Sequence, residues 1–154
     1  MNQQPLQMPG GQPWNAGKYS FKTYFAYEVD TSSALNAAGS ATLTFNIAGD
    51  SDFFWTKFQA FALVGGVATT RLADQLPAVT MLVTNTTSGR QYSSLPNPLP
   101  NVSGTGSLPF ILPQITLWEA KSTISVQLAN IGDANYSAIY LTFAGVKAFL
   151  AGGA

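Results

Sequence analysis

The most regular alternation of apolar and polar side chains in this chain occurs in Ala41-Thr42-Leu43-Thr44-Phe45-Asn46-Ile47-Ala48. Leu43, Phe45 and Ile47 fall on one face of an extended chain, and the polar residues between them fall on the other, because successive side chains of a β-strand point to opposite sides. This stretch therefore predicts a strand with one buried face and one solvent-facing side.

The same period of two recurs on both sides of this stretch. It predicts strands over residues 18–29, 53–64, 78–84, 122–130 and 138–150, with a break at Gly145 in the last of them. Tyr92 is expected on a short return strand, and the proline-rich connection 95–113 leaves room only for an edge strand near residues 110–112. Turns are predicted at 85–90 and 130–135, and short helices are considered at 33–38 and 70–76.

About eight strands at short intervals, with turn residues between them, indicate an all-β protein rather than a βαβ fold. The prediction is a single antiparallel β-sandwich domain over residues 18–154, and the long crossing connections favour a jelly roll over an up-and-down meander. No internal repeat of 20–50 residues is present.

Residues 1–17 differ in composition from the predicted domain, with four Gln, three Pro and three Gly. Such a stretch cannot build a core of its own and is predicted to be an extended N-terminal arm. Leu6, Met8 and Trp14 are its natural anchors, and we expect them to dock on a neighbouring subunit.

The charge content indicates which partners suit this chain. Of its 154 residues only 9% are charged, with 7 Lys+Arg against 7 Asp+Glu and a formal net charge of zero. Nucleic acid is therefore not expected as a partner, because phosphate neutralisation requires a basic surface. A surface with so little charge promotes association, so we expect much of it to contact other protein.

The absence of two residue types lowers the expectation of catalysis. Without Cys there is no thiolate nucleophile or zinc–thiolate site, and without His the usual general base and metal ligand are missing. We therefore expect no enzymatic activity, no cofactor, no metal and no small-molecule substrate. The first residues lack the basic start and apolar run of a signal peptide, and no apolar stretch is long enough to span a membrane, so synthesis in a cytoplasm is expected.

Two acidic pairs are the candidates for chemistry that remain. Asp50 and Asp52 could form half of an oxygen-rich Ca²⁺ site, but Gly, Ser and Asp in this order also favour a solvated turn. Glu28 and Asp30 could serve a glycosidase only if the fold separated an acid and a base by about 5 or 9 Å, and solvation at a strand end explains them better.

Large apolar side chains outside or at the margins of the strands are the predicted subunit contacts. Trp55 is assigned to the core, whereas Trp118, after the proline-rich connection, is expected at the surface. Exposed aromatics on a β-sandwich can also stack on sugars, so a carbohydrate role stays open, although an interface role is favoured because Trp and Tyr dominate interface hot spots. The predicted interface residues are Leu6, Met8, Trp14, Trp118, Phe149 and Leu150.

Several segments resemble small virion proteins of tailed bacteriophages. They are Leu108-Pro109-Phe110-Ile111-Leu112-Pro113, Ile124-Ser125-Val126-Gln127-Leu128-Ala129-Asn130, Ile139-Tyr140-Leu141-Thr142-Phe143-Ala144-Gly145-Val146-Lys147-Ala148-Phe149 and, less extensively, Phe54-Trp55-Thr56-Lys57-Phe58. The resemblance spans most of residues 40–150 and contains no catalytic signature. It implies a structural protein of the particle, and jelly-roll head decoration (cement) proteins fit the size and the arm.

The sequence therefore predicts a capsid decoration protein of a bacteriophage, located on the virion surface. Its expected partners are the major capsid protein and copies of itself, as a dimer or trimer. The alternatives are another virion component, such as a head–tail connector, collar or tail protein, and a carbohydrate-binding module of a host-attachment structure.

Overall fold

The fold consists of two antiparallel β-sheets, seen in a computed structural model that describes residues 17–64, 67–68 and 77–152. The strands are β1 (Tyr19–Asp30), β2 (Ser40–Asn46), β3 (Ser51–Val64), β4 (Val67–Ala68), β5 (Val79–Asn85), β6 (Arg90–Gln91), β7 (Asn97–Pro98), β8 (Phe110–Trp118), β9 (Thr123–Asn130) and β10 (Tyr136–Leu150). One short helix, α1 (Leu99–Val102), is present in the described residues. The predicted all-β sandwich is confirmed.

The order of the strands is that of a jelly roll. Sheet A has the order β1-β10-β3, with β8 and β4 both pairing with β3, and sheet B has the order β2-β9-β5, with β6 and β7 both pairing with β5. The chain therefore alternates between the two sheets, and its last two strands insert beside its first two. This arrangement of crossing connections is the one predicted from the sequence.

The core lies between the sheets and is mostly aromatic at one end. Trp55 and Trp118 stack with their ring centroids 5.0 Å apart, and Phe143 packs 5.2 Å from Trp55. Sheet B contributes Phe45, whose ring lies 5.3 Å from that of Phe143. The other end of the core is aliphatic, with Val79, Val126, Leu128, Ile139 and Leu141 almost fully buried.

Two local predictions are corrected by the structure. Residues 33–38 do not form a helix, since Leu35 instead exchanges two backbone hydrogen bonds with Tyr136, at 2.8 and 3.1 Å. The predicted break at Gly145 is a shift in register within a continuous β10, where Thr56 is an extra residue of the neighbouring β3. A Cβ at Gly145 would lie 2.0 Å from the Phe54 backbone oxygen, so glycine permits a close approach of β3 that any side chain would prevent. The segment 70–76, considered as a helix, lies outside the described residues.

Candidate functional site: an apolar cleft and an outer apolar row

A large bulge in β8 opens a cleft at one edge of the sandwich. Trp55 of β3 is paired with Thr116, and Lys57 with Ile111, so one β3 residue, Thr56, stands opposite the four β8 residues 112–115. Pro113 lies within this bulge, where its missing N–H costs no ladder hydrogen bond. The extra residues carry β8 away from β3 and expose the region above the Trp55 ring.

The cleft has a volume of about 300 Å³ and is mainly apolar. Its principal apolar lining side chains come from both sheets and from the β6–α1 connection, and they are Trp55, Met81, Val83, Tyr92, Val102, Phe110 and Leu112. Among the described residues that line it, none carries a charge, and the polar ones have hydroxyl or amide side chains. The cleft therefore suits an apolar side chain.

The polar atoms of the aromatic residues beside the cleft are paired within the chain. The Trp55 indole N–H donates to the Lys57 carbonyl oxygen at 2.8 Å, and the Trp118 indole N–H donates to the Tyr92 hydroxyl at 2.7 Å. Burial raises the pKa of the Tyr92 phenol, although the Trp118 hydrogen bond acts in the opposite direction. Tyr92 is therefore neutral at physiological pH and acts as a structural acceptor.

The outward side of sheet A carries an apolar row across four strands. Tyr24 of β1 is paired with Val146 of β10, Val146 with Phe54 of β3, and Phe54 with Leu117 of β8. We call these four residues the outer apolar row. Tyr24 is 70% exposed and Leu117 is 39% exposed, whereas Phe54 between them is only 3% exposed. On the other side of the β8 bulge, Ile111 is 66% exposed. These ends of the row offer apolar surface to a partner.

The Asp50–Asp52 corner is an ion-paired structural element. The Asp52 carboxylate is only 3% exposed and accepts hydrogen bonds from the Lys18 ammonium, the Tyr19 hydroxyl and the Ala120 backbone N–H, each at 2.8 Å. Burial would raise the pKa of Asp52, but these three donors together outweigh burial and hold the pKa below its usual value. Bonding to Asp52 in turn raises the pKa of Lys18.

The oxygens of Asp52 are thus occupied by donors of the chain itself. Asp50 is more exposed, accepts a hydrogen bond from the Ser51 hydroxyl at 2.9 Å and lies 3.8 Å from the Lys147 ammonium. Within the described residues no three acidic, His or Cys side chains come together as a metal site would require. The corner therefore supports the interpretation of these two residues as structural rather than as half of a calcium site.

Apart from Trp118, the predicted interface residues fall into two groups. Leu6, Met8 and Trp14 lie outside the described residues. Phe149 and Leu150 are half-buried near the end of β10, where Phe149 packs against the exposed Phe21 ring at 5.8 Å. Their role as interface residues stays a prediction.

The expectation that Trp118 is a surface aromatic is wrong. Its side chain is 0% exposed, because β8 runs on to residue 118 and directs this ring between the sheets, against Trp55 and Phe53. The exposed residue is its neighbour Leu117, which the period of two places on the opposite face.

The exposed ends of the outer apolar row are not among the interface residues predicted from the sequence. The period of two along residues 18–29 places Tyr24 on the same face as the charged Lys22 and Glu28, so an exposed aromatic at this position could have marked it as a contact residue. The exposure of Leu117 and Ile111 follows from the β8 bulge and had no comparable local signal.

Comparisons with known proteins show weak similarity in structure alone. No protein-family model and no curated protein matches this chain. The structure of the infectious bursal disease virus VP2 subviral particle is similar over 86% of this chain and 42% of that chain, with 12% identity and a TM-score of 0.30. The structure of infectious bursal disease virus Gt strain is similar over 96% of this chain and 45% of that chain, with 11% identity and a TM-score of 0.23.

This chain thus spans less than half the length of either viral protein. Both similarities are too weak to bear on its function. The described part of the chain contains no helix with the length and hydrophobicity needed to span a bilayer.

Proposed function

We propose that this chain is a non-enzymatic structural protein of a virion, a head decoration (cement) protein that binds across neighbouring capsid subunits and associates with copies of itself. The observation that carries the proposal is the outer apolar row, with exposed ends on both margins of sheet A. On a chain with only 14 charged residues, 7 basic and 7 acidic, such a surface favours association with protein.

The mechanism would be the burial of apolar surface across a subunit boundary, without a chemical step. A protein that contacts several capsid subunits gains from linked contacts, so individually modest interfaces add up to firm attachment. The uncharged lining of the cleft supports a binding role over a hydrolytic one. The N-terminal arm, residues 1–17, would provide further anchors through Leu6, Met8 and Trp14.

The proposal is tested by binding the purified protein to particles of the virus that encodes it, stripped of this protein, and measuring retention by sedimentation. Ile111→Ala and Leu117→Ala remove exposed apolar side chains from sheet A, and we expect the double variant to bind at least about tenfold more weakly, since central apolar contacts contribute about 1–2 kcal/mol each.

Lys57→Gln is the matched control, because Lys57 is exposed on the same face and is paired with Ile111. It should bind as the unmodified protein does.

The copy number of this protein should reach hundreds per particle. A few copies per particle would indicate a connector or tail component instead, and equal binding by the Ile111/Leu117 variant would contradict this surface.

A further inference from the structure

The outer edge of β2 is the feature that carries a further inference. The ladder between β2 and β9 is continued at its two ends by Gly39, whose carbonyl oxygen accepts from the Asn130 N–H, and by Ile47, whose N–H donates to the Ser122 carbonyl oxygen, each at 2.8 Å. In an antiparallel ladder every second residue bonds to the same neighbour. The residues of β2 whose backbone groups face away from β9 are therefore Ser40, Thr42, Thr44 and Asn46. No strand of the described residues pairs with them on that side.

This edge lacks the features by which natural sheets block pairing. Such features are charged side chains, proline, bulges and very short strands. β2 contains seven residues, none of them charged and none of them proline, and its register with β9 is unbroken. The edge strand β8 of sheet A, by contrast, carries a bulge that contains Pro113. A regular, uncharged edge of this length favours the addition of another strand.

A groove of about 420 Å³ beside this edge provides the space for such a strand. It lies between β2 and β1, and the residues of these two strands that line it are Thr42, Leu43, Thr44, Glu28, Val29 and Asp30. Leu43 and Val29 are half-buried and pack against the core, whereas Glu28 and Asp30 are exposed. Because the side chains of a strand alternate, every second residue of an added strand would face Leu43 and the β1 side of the groove.

The charges of the groove indicate which strand fits it. Among the described residues that line it, Glu28 and Asp30 are the charged ones, and neither forms an ion pair with a described Lys or Arg. Pairing of β2 with β2 of a second copy would bring the same two carboxylates of both copies together, and this repulsion disfavours a second copy as the occupant. A strand with Lys or Arg facing the groove would instead pack its methylene groups on Leu43 and Val29 and place its cations near the carboxylates.

We propose that an extended segment of the capsid subunit adds to the outer edge of β2 as an antiparallel strand, with Lys or Arg at alternate positions facing Glu28 and Asp30. Every described pairing within sheet B is antiparallel, and so is the added one. Two residues of the segment stand opposite Thr42 and Thr44 and form about four backbone hydrogen bonds with them. The basic residue between them stands opposite Leu43.

In this arrangement the backbone hydrogen bonds hold the segment, and the two carboxylates select a basic one, since complementary charge contributes more to specificity than to affinity. The outer apolar row remains the main source of binding free energy, so attachment as a whole stays resistant to salt. The inference rests on the proposed decoration role and identifies the kind of capsid segment that is bound.

A strand-forming peptide tests the pairing in the purified full chain by isothermal titration calorimetry. The probe is an acetylated and amidated peptide of about nine residues in which Thr and Lys alternate, so that its lysines face the groove when its threonines bond to β2. N-methylation of the threonines removes the bonding N–H groups, and we expect binding to be at least about tenfold weaker. N-methylation of the lysines removes only N–H groups that face away from β2, and binding should be unchanged.

Three results of the titration would contradict the proposal. A loss of binding on methylation of the lysines alone would indicate parallel pairing and overturn the proposed orientation, because the bonding residues of a parallel strand are the ones opposite Leu43. Binding that is insensitive to both modifications would overturn strand addition. No binding of the unmodified peptide at about 1 mM would overturn the site.

Charge neutralisation tests the role of the groove. Glu28→Gln/Asp30→Asn removes both carboxylates, and we expect the unmodified peptide to bind about fivefold more weakly at low salt. Glu119→Gln/Asp133→Asn is the matched control, because it makes the same change in net charge at two exposed residues outside the described lining of the groove. An equal loss in both variants would show attraction by net charge alone and overturn the selection of a basic strand. Thermal melts confirm that each variant is folded.

Competition with stripped particles separates this inference from the decoration role. The unmodified peptide in excess should lower the retention of the protein on particles at least about twofold, and the threonine-methylated peptide should not. A peptide that binds β2 without affecting retention would overturn a capsid segment as the occupant and leave the decoration role intact. A protein that binds the peptide but not the particles would contradict the decoration role while supporting the β2 edge as a site for a basic strand.

Discussion

Asp52 illustrates how a single ionisable residue ties the start of β1 to the rest of the sandwich. Its carboxylate joins Lys18 and Tyr19, at the beginning of the described chain, to Ala120 in the β8–β9 connection. Burial without these donors would be costly for a charged group, and with them the charged form is favoured. The corner therefore stabilises the fold only while Asp52 is ionised.

Asp52→Asn should lower the free energy of unfolding at pH 7 by about 1–3 kcal/mol, because its three donors lose a buried anionic acceptor. The folded-state pKa of Asp52 lies below its unfolded value, so its contribution is present above an unfolded pKa of about 4 and is lost as the pH falls through the folded pKa. Denaturant unfolding at pH 7 and near pH 2.5 should therefore show a larger difference between variant and unmodified protein at pH 7.

Asp50→Asn is the matched control for this measurement. The Asp50 side chain is 55% exposed and its oxygen lies 3.8 Å from the Lys147 ammonium, so this weak surface pair contributes less than about 1 kcal/mol. An Asp52→Asn variant whose stability loss is the same at both pH values would show that the ionised carboxylate is not what stabilises the corner.

At the scale of the strands, two irregularities shape sheet A on either side of β3. The bulge of β8 lengthens one neighbour of β3 and opens the cleft, whereas on the side of β10 the extra residue is Thr56 of β3 itself, between the pairs Trp55–Gly145 and Lys57–Ala144. Both occur near Trp55, which is paired with Thr116 on one side and with Gly145 on the other. The approach of the β10 and β3 backbones at Gly145 thus supports the position of the ring that forms the floor of the cleft.

Gly145→Ala should destabilise the protein by about 3 kcal/mol, because the new Cβ would overlap the Phe54 carbonyl oxygen and the two strands would have to separate. For a chain of this size the melting temperature should fall by about 5–10 °C. Gly106→Ala is the control, since nothing lies within 4 Å of a Cβ at that position. A Gly145→Ala variant that melts within about 1 °C of the unmodified protein would contradict the close approach.

At the scale of the whole molecule, the surface combines few charges with apolar side chains on the margins of sheet A. The described ion pairs are Lys18–Asp52, which is internal to the fold, and the longer Lys147–Asp50 contact. With only 14 charged residues among 154, of both signs equally, the chain has few groups for a salt-sensitive interface, and apolar burial is the available source of binding free energy.

Attachment to particles should accordingly persist through about 1 M NaCl, where the Debye length is only about 3 Å. The measurement is the fraction of protein that sediments with purified particles across a salt series. Dissociation between about 0.1 and 0.5 M NaCl, the range over which surface charges become screened, would demonstrate an electrostatic interface and contradict the proposed mode of attachment.

Most of the strands and the jelly-roll connections were predictable from the sequence alone, because alternation along a strand is a local property. β8 is the exception, since it was predicted only near residues 110–112 and extends to Trp118. Leu43 and Phe45 mark the buried face of β2 without reference to any other part of the chain, and Asn85 and Asn130 mark turns through hydrogen bonds to residues two or three positions away. The helix considered at 33–38 failed because Leu35 gained two backbone hydrogen bonds from Tyr136, a partner about 100 residues away.

The surface that would bind a partner was decided only by the tertiary structure. Trp118 and Leu117 are neighbours of similar apolar character, and which of them is buried depends on the register of β8 against β3. The bulge sets that register, because four residues of β8 stand opposite Thr56 of β3. These two segments lie more than 50 residues apart in the chain. Alternation determines that one of two adjacent side chains faces the core. Only the packing of the two sheets determines which one, because a shift of the strand register by one residue would expose the buried side chain and bury the exposed one.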